Sequence, residues 1–157
     1  MTLPKIDINQ IDYELCRRDY GYYVEYSHEG RYSHGKFTRY LTKQVQEFIE
    51  TKTGNAYDIL LLSVAPQHSK STSITETLPS WYLGKNPFNK VIEVSYNGDF
   101  AKRFTRRNAD KVEKFGKQIF NIEIGSPNMA DEFKLTNGIG SFISRGIMSG
   151  ITGEPCD

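Results

Sequence analysis

LLLSVAPQHSKSTS, residues 60–73, is the stretch on which the reading of this chain turns. Asp58-Ile-Leu-Leu-Leu-Ser-Val64 is short and almost continuously apolar, the pattern of a strand buried on both faces of a parallel sheet. A polar loop, Ala65–Ser69, follows it. Helical periodicity starts just after Lys70, with Ile74, Leu78, Trp81 and Tyr82. Strand, loop and helix in that order are the setting of a phosphate-binding loop. Such a loop needs converging backbone N–H groups, a lysine to reach the β/γ-phosphates and a hydroxyl beside it for Mg²⁺. Lys70, Ser71 and Thr72 supply the last two. The strict pattern G-x-x-x-x-G-K-[ST] is not met, because Val64 and Ser69 stand at the glycine positions. The pattern alone leaves two readings open: a nucleotide loop, or a strand-to-helix turn capped by Ser69 with Lys70 solvated.

Working outward, residues 7–26 are expected to be helical, with Asp7 as N-cap and Ile8, Ile11, Leu15 and Tyr22 near one face. Residues 36–51 form a second amphipathic pattern through Phe37, Leu41, Val45, Phe48 and Ile49, closed by Gly54 as C-cap. Pro79 is expected to kink or shorten the helix after the loop, and Asn86-Pro87 to close it. Residues 90–96 are a second strand. Residues 99–119 are a helix striped by Ala101, Phe104, Val112, Phe115 and Ile119, with one flaw at Asn108. Strand, helix, strand, helix is the rhythm of an α/β protein with a mostly parallel sheet. Beyond residue 119, IFNIEI, EFKLTNGIGSFIS and IMSGITG suggest short strands, with Asn137-Gly138 as a hairpin turn.

The bulk properties fit one domain. The chain has 157 residues, 25% of them charged, and a net charge of +1, so no overall field announces nucleic acid or membrane. Two cysteines, Cys16 and Cys156, sit in no metal-ligand spacing and suit a reducing compartment. No signal-peptide core and no run of 18 apolar residues occur, so the expected location is cytoplasmic.

Several phrases beyond the loop carry a resemblance. Pro66-Gln67-His68-Ser69-Lys70-Ser71, Tyr82-Leu83-Gly84-Lys85-Asn86-Pro87 and Val94-Ser95-Tyr96-Asn97 stand in order over residues 58–108. They resemble the large terminase subunit of tailed bacteriophages, the ATPase that drives DNA into the capsid. The resemblance implies an incomplete P-loop NTPase sheet, with residues 1–55 as a helical preamble, 56–157 as a partial ATPase core, N-terminal helices and a short β-hairpin region near the C-terminus. It implies ATP and Mg²⁺ as cofactors, Lys70 on the β/γ-phosphates, Ser71 on the metal with Thr72 beside it, and the backbone of 67–71 as a cradle, so that the nucleotide contacts are Pro66, Gln67, His68, Ser69, Lys70, Ser71 and Thr72. It implies double-stranded viral DNA, a terminase small subunit and a capsid portal as partners, a homo-oligomer, no membrane, and the cytoplasm of a phage or prophage host. The family often holds arginine at position 67; Gln67 cannot supply that charge and leaves the role to a neighbouring subunit.

The acidic motif such an ATPase needs is missing. Asp99 lies isolated past a loop, Glu123 has no partner, and Asp131-Glu132 has no apolar strand before it. The closing residues Gly150–Asp157 resemble the phrase that precedes the family's Walker B strand. The chain is therefore expected to stop short of that strand and of the nuclease domain, and to hydrolyse ATP negligibly by itself. Two other readings stay open: a catalytically inactive prophage remnant serving as an interaction or nucleic-acid-binding module, and a helicase-like P-loop translocase. Residues 99–117 carry seven Lys/Arg against three acids, a local net of +4, which suits a phosphate backbone or, more simply, a solvated helix face. His28, His34 and His68 are too scattered for a metal site. His34 and Gln44 fall where such ATPases contact adenine, and Tyr20, Tyr22, Tyr23 and Tyr26 suit base stacking or helix packing.

Overall fold

A computed structural model describes residues 7–51, 53 and 55–147. Gly54, expected as a C-cap, and the segment Gly150–Asp157 lie outside the described residues, as does most of IMSGITG. The N-terminal third is helical: α1 (Ile8–Arg18), α2 (Tyr20–Ser27) and α3 (Lys36–Glu50). A π-turn at Ser71–Thr75 leads into α4 (Leu78–Lys85). Then follow β1 (Lys90–Ser95), α5 (Gly98–Lys111), a second π-turn (Val112–Gly116), α6 (Lys117–Phe120), β2 (Ile124–Asn128), β3 (Glu132–Leu135) and β4 (Ser141–Gly146).

The four strands form one sheet in the order β1-β4-β3-β2. β1 and β4 are parallel, with Lys90 opposite Ser141 and Ser95 opposite Gly146, while β3–β4 and β2–β3 are antiparallel. The sheet is therefore mixed, which corrects the expectation of a mostly parallel one. The reason is local. Asn137 accepts from the backbone N–H of Ile139 and Gly140, and Gly138 takes a φ of +74° that a glycine adopts without strain. That turn folds β3 onto β4 as the expected hairpin, and closing so short a loop costs little entropy.

The larger correction concerns residues 58–64. They form no strand, and they pair with none among the described residues. Ile59 is 71% and Leu61 89% exposed; only Leu62 and Val64 lean on the helical core. β1 gives one edge to β4, and among the described residues its other edge pairs with nothing. An apolar run makes a doubly buried strand only where partners flank it, and here none does.

Two cores share one joint. The first packs Cys16, Tyr20, Tyr23, Val24, Leu41, Val45, Trp81 and Ile119 between the helices. The second packs Leu83, Ala109, Val112, Ile122, Phe133, Leu135 and Phe142 between α5 and the sheet. Phe120 touches both. It can do so because position 84 is glycine: a Cβ there would sit 2.4 Å from the Phe120 ring. Trp81, fully buried, donates its indole N–H to the Cys16 carbonyl at 2.9 Å.

The expected helix 7–26 is two helices, divided at Asp19. Asp7 caps α1 as expected, accepting from the backbone N–H of Asn9, and Asp19 caps α2 through that of Tyr22. The expected apolar face is overturned: Ile8, Ile11 and Leu15 are exposed, and Cys16, Tyr20, Tyr23 and Val24 go inward. The break at Asp19 turns α2 so that its tyrosines, rather than the aliphatics of α1, meet Trp81; the Tyr20 and Trp81 rings lie 5.0 Å apart. Pro79 starts α4 within its first two positions, where a missing N–H costs nothing.

Asn108, the flaw in the stripe of residues 99–119, is fully buried and joins three elements. Its Oδ1 accepts from the backbone N–H of Ser80, and its Nδ2 donates to the carbonyls of Thr75 and Phe104. Asn108→Ala would leave the buried Ser80 donor and the partly buried Thr75 acceptor without this partner. At about 1–3 kcal/mol for the buried donor and less for the partly exposed acceptor, chemical denaturation should show a loss of roughly 2–4 kcal/mol; a loss below about 1 kcal/mol would contradict this bracing role.

Candidate functional site

The loop Ala65–Ser69 leaves the helical core and turns twice through left-handed backbone. Gln67 has a φ of +64° and Ser69 a φ of +56°, although neither is glycine. Lys70 returns to right-handed values, with φ −56° and ψ −51°. A left-handed residue followed by a right-handed one points successive N–H groups into a common hollow, the geometry that binds anions. Position 69 thus adopts a conformation that glycine would take freely.

The residues expected to bind nucleotide are only partly brought together. Lys70 and Ser71 line a groove of about 530 Å³ that runs beside β1 past Glu93 and Ser95 to Tyr96. Lys70 is exposed and makes no ion pair among the described residues. Pro66, Gln67 and His68 lie exposed on the loop rather than in that groove. The His68 ring bonds the Pro66 carbonyl at 2.8 Å and stands edge-on to Phe37 of α3. Thr72 gives its carbonyl to the Thr77 hydroxyl at 2.8 Å, a contact internal to the turn. Ser73, just beyond, is buried beneath Tyr20 and Tyr32, which bond its carbonyl and hydroxyl respectively.

One residue in the groove escaped sequence reasoning. Glu93 stands in mid-strand between apolar neighbours, where no strand-terminal acidic pattern would single it out. Its Oε2 is buried and finds no hydrogen-bond partner among the described residues. Burial, and then the nearby Glu76, push its carboxyl up to about 8. The visible signal was a glutamate inside Val91-Ile92-Glu93-Val94, where an isolated charge is costly.

The other acids considered are committed elsewhere. Asp99 lies 3.6 Å from Lys102, Glu123 3.2 Å from Lys117, Asp131 3.0 Å from Arg145 and Glu132 3.3 Å from Lys134. No group of three or more His, Cys, Asp or Glu that could hold a metal occurs among the described residues. His34 uses both ring nitrogens locally, on Thr38 and the Gly21 carbonyl, and Gln44 bonds Glu47 on its own helix. Neither side chain is directed at the groove. Tyr20 and Tyr23 are core residues, so the tyrosine cluster packs helices. Burial pushes the Cys16 thiol up to about 12, which makes it an unreactive core group.

The basic helix divides its charge. Lys102, Arg103 and Arg106 line one cleft with Asp110 and Glu113, whereas Arg107, Lys111 and Lys114 line another. No helix among the described residues is long and apolar enough to cross a membrane. Comparison with protein-family models, curated proteins and solved structures finds no match to this chain.

Two consequences are measurable. Ser69→Val places a β-branched residue in left-handed backbone and should cost about 1–2 kcal/mol in urea unfolding, whereas Ser69→Gly should cost nothing. Equal losses in both would show that the loop does not hold this conformation. For Glu93, the folded-state value lies above the ordinary carboxylate value of 4.5. The advantage of its protonated form is full below that value and is lost as pH rises through about 8. Glu93→Gln should therefore gain stability relative to the unsubstituted chain as pH rises between those limits; a pH-independent difference would refute the buried carboxyl.

Proposed function

We propose that this chain is the nucleotide-binding part of a terminase-type DNA-packaging ATPase, taking ATP with Mg²⁺ at the loop Pro66–Thr72. The observation that carries the reading is the left-handed backbone at Gln67 and Ser69 immediately before Lys70 and Ser71, which open together onto the groove beside β1. Ligands of open α/β sheets gather at the carboxyl ends of strands, and the groove reaches that end of β1 at Ser95 and Tyr96. The ordered phrases from Pro66 to Asn97 add the family to the geometry.

In this reading the backbone N–H groups of Ser69 and Lys70 meet phosphate oxygens, and the unpaired Lys70 ammonium neutralises the β/γ end. The Ser71 hydroxyl is the ligand for Mg²⁺, which when bound supplies charge neutralisation at the phosphates. Double-stranded DNA, a small subunit, a portal, further copies of the chain and a host cytoplasm belong to the same proposal. Gln67 brings no charge to the phosphates, and no described carboxylate pair stands ready to polarise a water. Binding without appreciable turnover follows.

A second reading is favoured by the exposed apolar residues Ile59 and Leu61, which lie in a segment that joins no strand among the described residues and suit an interaction module with no catalysis of its own. ATP binding decides between the two. Titration of Mg·ATP against the chain, followed by fluorescence or calorimetry, should give weak saturable binding that Lys70→Ala reduces at least about ten-fold, equivalent to about 1.4 kcal/mol. Phosphate release should stay at background. Binding indifferent to Lys70 would favour the interaction module, and turnover abolished by Lys70→Ala would show that the groove is catalytically complete.

A further inference from the structure

A second charged cavity shares no lining residue with the loop groove. It measures about 380 Å³ and lies between the turn at the end of α2 and the face formed by α5 with its following π-turn. Four cations line it, Arg31, Arg107, Lys111 and Lys114, against two acids, Glu29 and Asp110. The formal balance is four minus two, or +2. His28 also borders it, with its Nδ1 on the Val24 carbonyl, and burial favours its neutral form.

Lys111 is the unusual member. Only 8% of the residue is exposed, and the one acceptor its ammonium finds among the described residues is the Glu76 carbonyl, at 2.9 Å. An ammonium has three N–H donors, so two remain unfilled. The nearest carboxylates are spent or out of reach: Glu76 pairs with Arg107, Glu29 with Lys114, and Asp110 makes no ion pair with Lys111. A buried charge without a direct ion pair is costly, and burial pushes the Lys111 pKa down against the attraction of the Glu76 and Asp110 carboxylates. At the rim, Arg31 makes no ion pair with any described residue. Its planar fork suits a tetrahedral oxyanion.

We propose that this cleft is a phosphate-binding site, with Lys111 at its floor and Arg31 and Lys114 at its rim holding one phosphoryl group. The phosphoryl oxygens supply further acceptors to the ammonium, and the anion supplies the direct ion pair that no described carboxylate makes with it. Arg107 stays with Glu76 and shapes the wall. The site is independent of the nucleotide loop and stands whether or not that loop binds ATP. A small phosphate ester and the backbone of a nucleic acid present the same chemistry.

The test is a titration of the full chain with inorganic phosphate at constant ionic strength, followed by amide NMR. The expected result is saturable shifts of residues 27–31 and 107–115, weakened as salt rises and following a binding curve of their own, separate from any response of the loop 66–72. Arg31→Ala combined with Lys114→Ala, both at exposed positions, should reduce the affinity at least ten-fold, and Lys70→Ala should leave it unchanged. Lys111→Met should abolish binding if the variant folds; the rim variants decide the matter if it does not. A short DNA duplex that moves the same amides and competes with phosphate identifies a polynucleotide backbone as the source. Phosphate binding without such competition identifies a small ester. The proposal is overturned if no amide in the cleft responds, if the rim variants bind as tightly as the parent, or if Lys70→Ala removes the response.

Discussion

The structure depends on the bridge made by the Asn108 side chain. Where the π-turn Ser71–Thr75 gives way to α4, the chain leaves a carbonyl at Thr75 and an N–H at Ser80 without helical partners, as every helix end must. The Ser80 N–H is buried and the Thr75 carbonyl is partly buried. Asn108, from the middle of α5, satisfies both and adds a third bond to its own helix at Phe104. One side chain therefore fixes the spacing between the segment that carries the loop and the helix that covers the sheet. Lys111, one turn further along α5, repeats the device by bonding the Glu76 carbonyl. The candidate groove and the basic cleft are held against the same helix by these contacts.

The two cores are built from different chemistry, and this affects where function can sit. The helical core is aromatic and hydrogen-bonded: Trp81 to Cys16, Tyr23 to Ser80, Tyr20 to Ser73. Each bond removes a buried polar group that would otherwise cost about 1–3 kcal/mol, and each also fixes a ring in one orientation. The sheet core is mainly hydrocarbon, with Phe133 stacked on Phe142 and one buried hydroxyl pair, Thr105 of α5 with Ser144 of β4. The loop Ala65–Ser69 hangs from the first core through Ser73, whose hydroxyl and carbonyl are both engaged by tyrosines. A left-handed serine persists only where its surroundings over-determine it, and the buried anchor just beyond the loop provides that constraint.

Much of this was legible in the residues themselves. α3, α4, β1 and α5 follow from apolar spacing, Asp7 from its capping chemistry, and the β3–β4 hairpin from Asn137-Gly138. Lys70 and Ser71 were singled out by their position after an apolar run, and they do line a common groove. The apolar face of the first helix was misread because Asp19, which looked like one more polar residue in a helix, is a cap that divides it. Glu93 went unnoticed because periodicity arguments treat an in-strand glutamate as outward-facing, whereas here it lines a groove beside an edge of β1 that no described strand covers.

The sequence by itself determined the local elements: which segments coil, where they are capped, and which hydroxyl and ammonium follow the apolar run. Those are set by interactions within about four residues, where steric and hydrogen-bond rules act without regard to the rest of the chain. It took the tertiary structure to show that residues 58–64 pair with no strand among the described residues, that the sheet is mixed, that Asn108 is a brace rather than a flaw, and that Lys111 is buried among other cations. The reason is the same in each case. Strand pairing and the burial of a polar group depend on what distant segments bring alongside, and that partnership is absent from any short window of sequence.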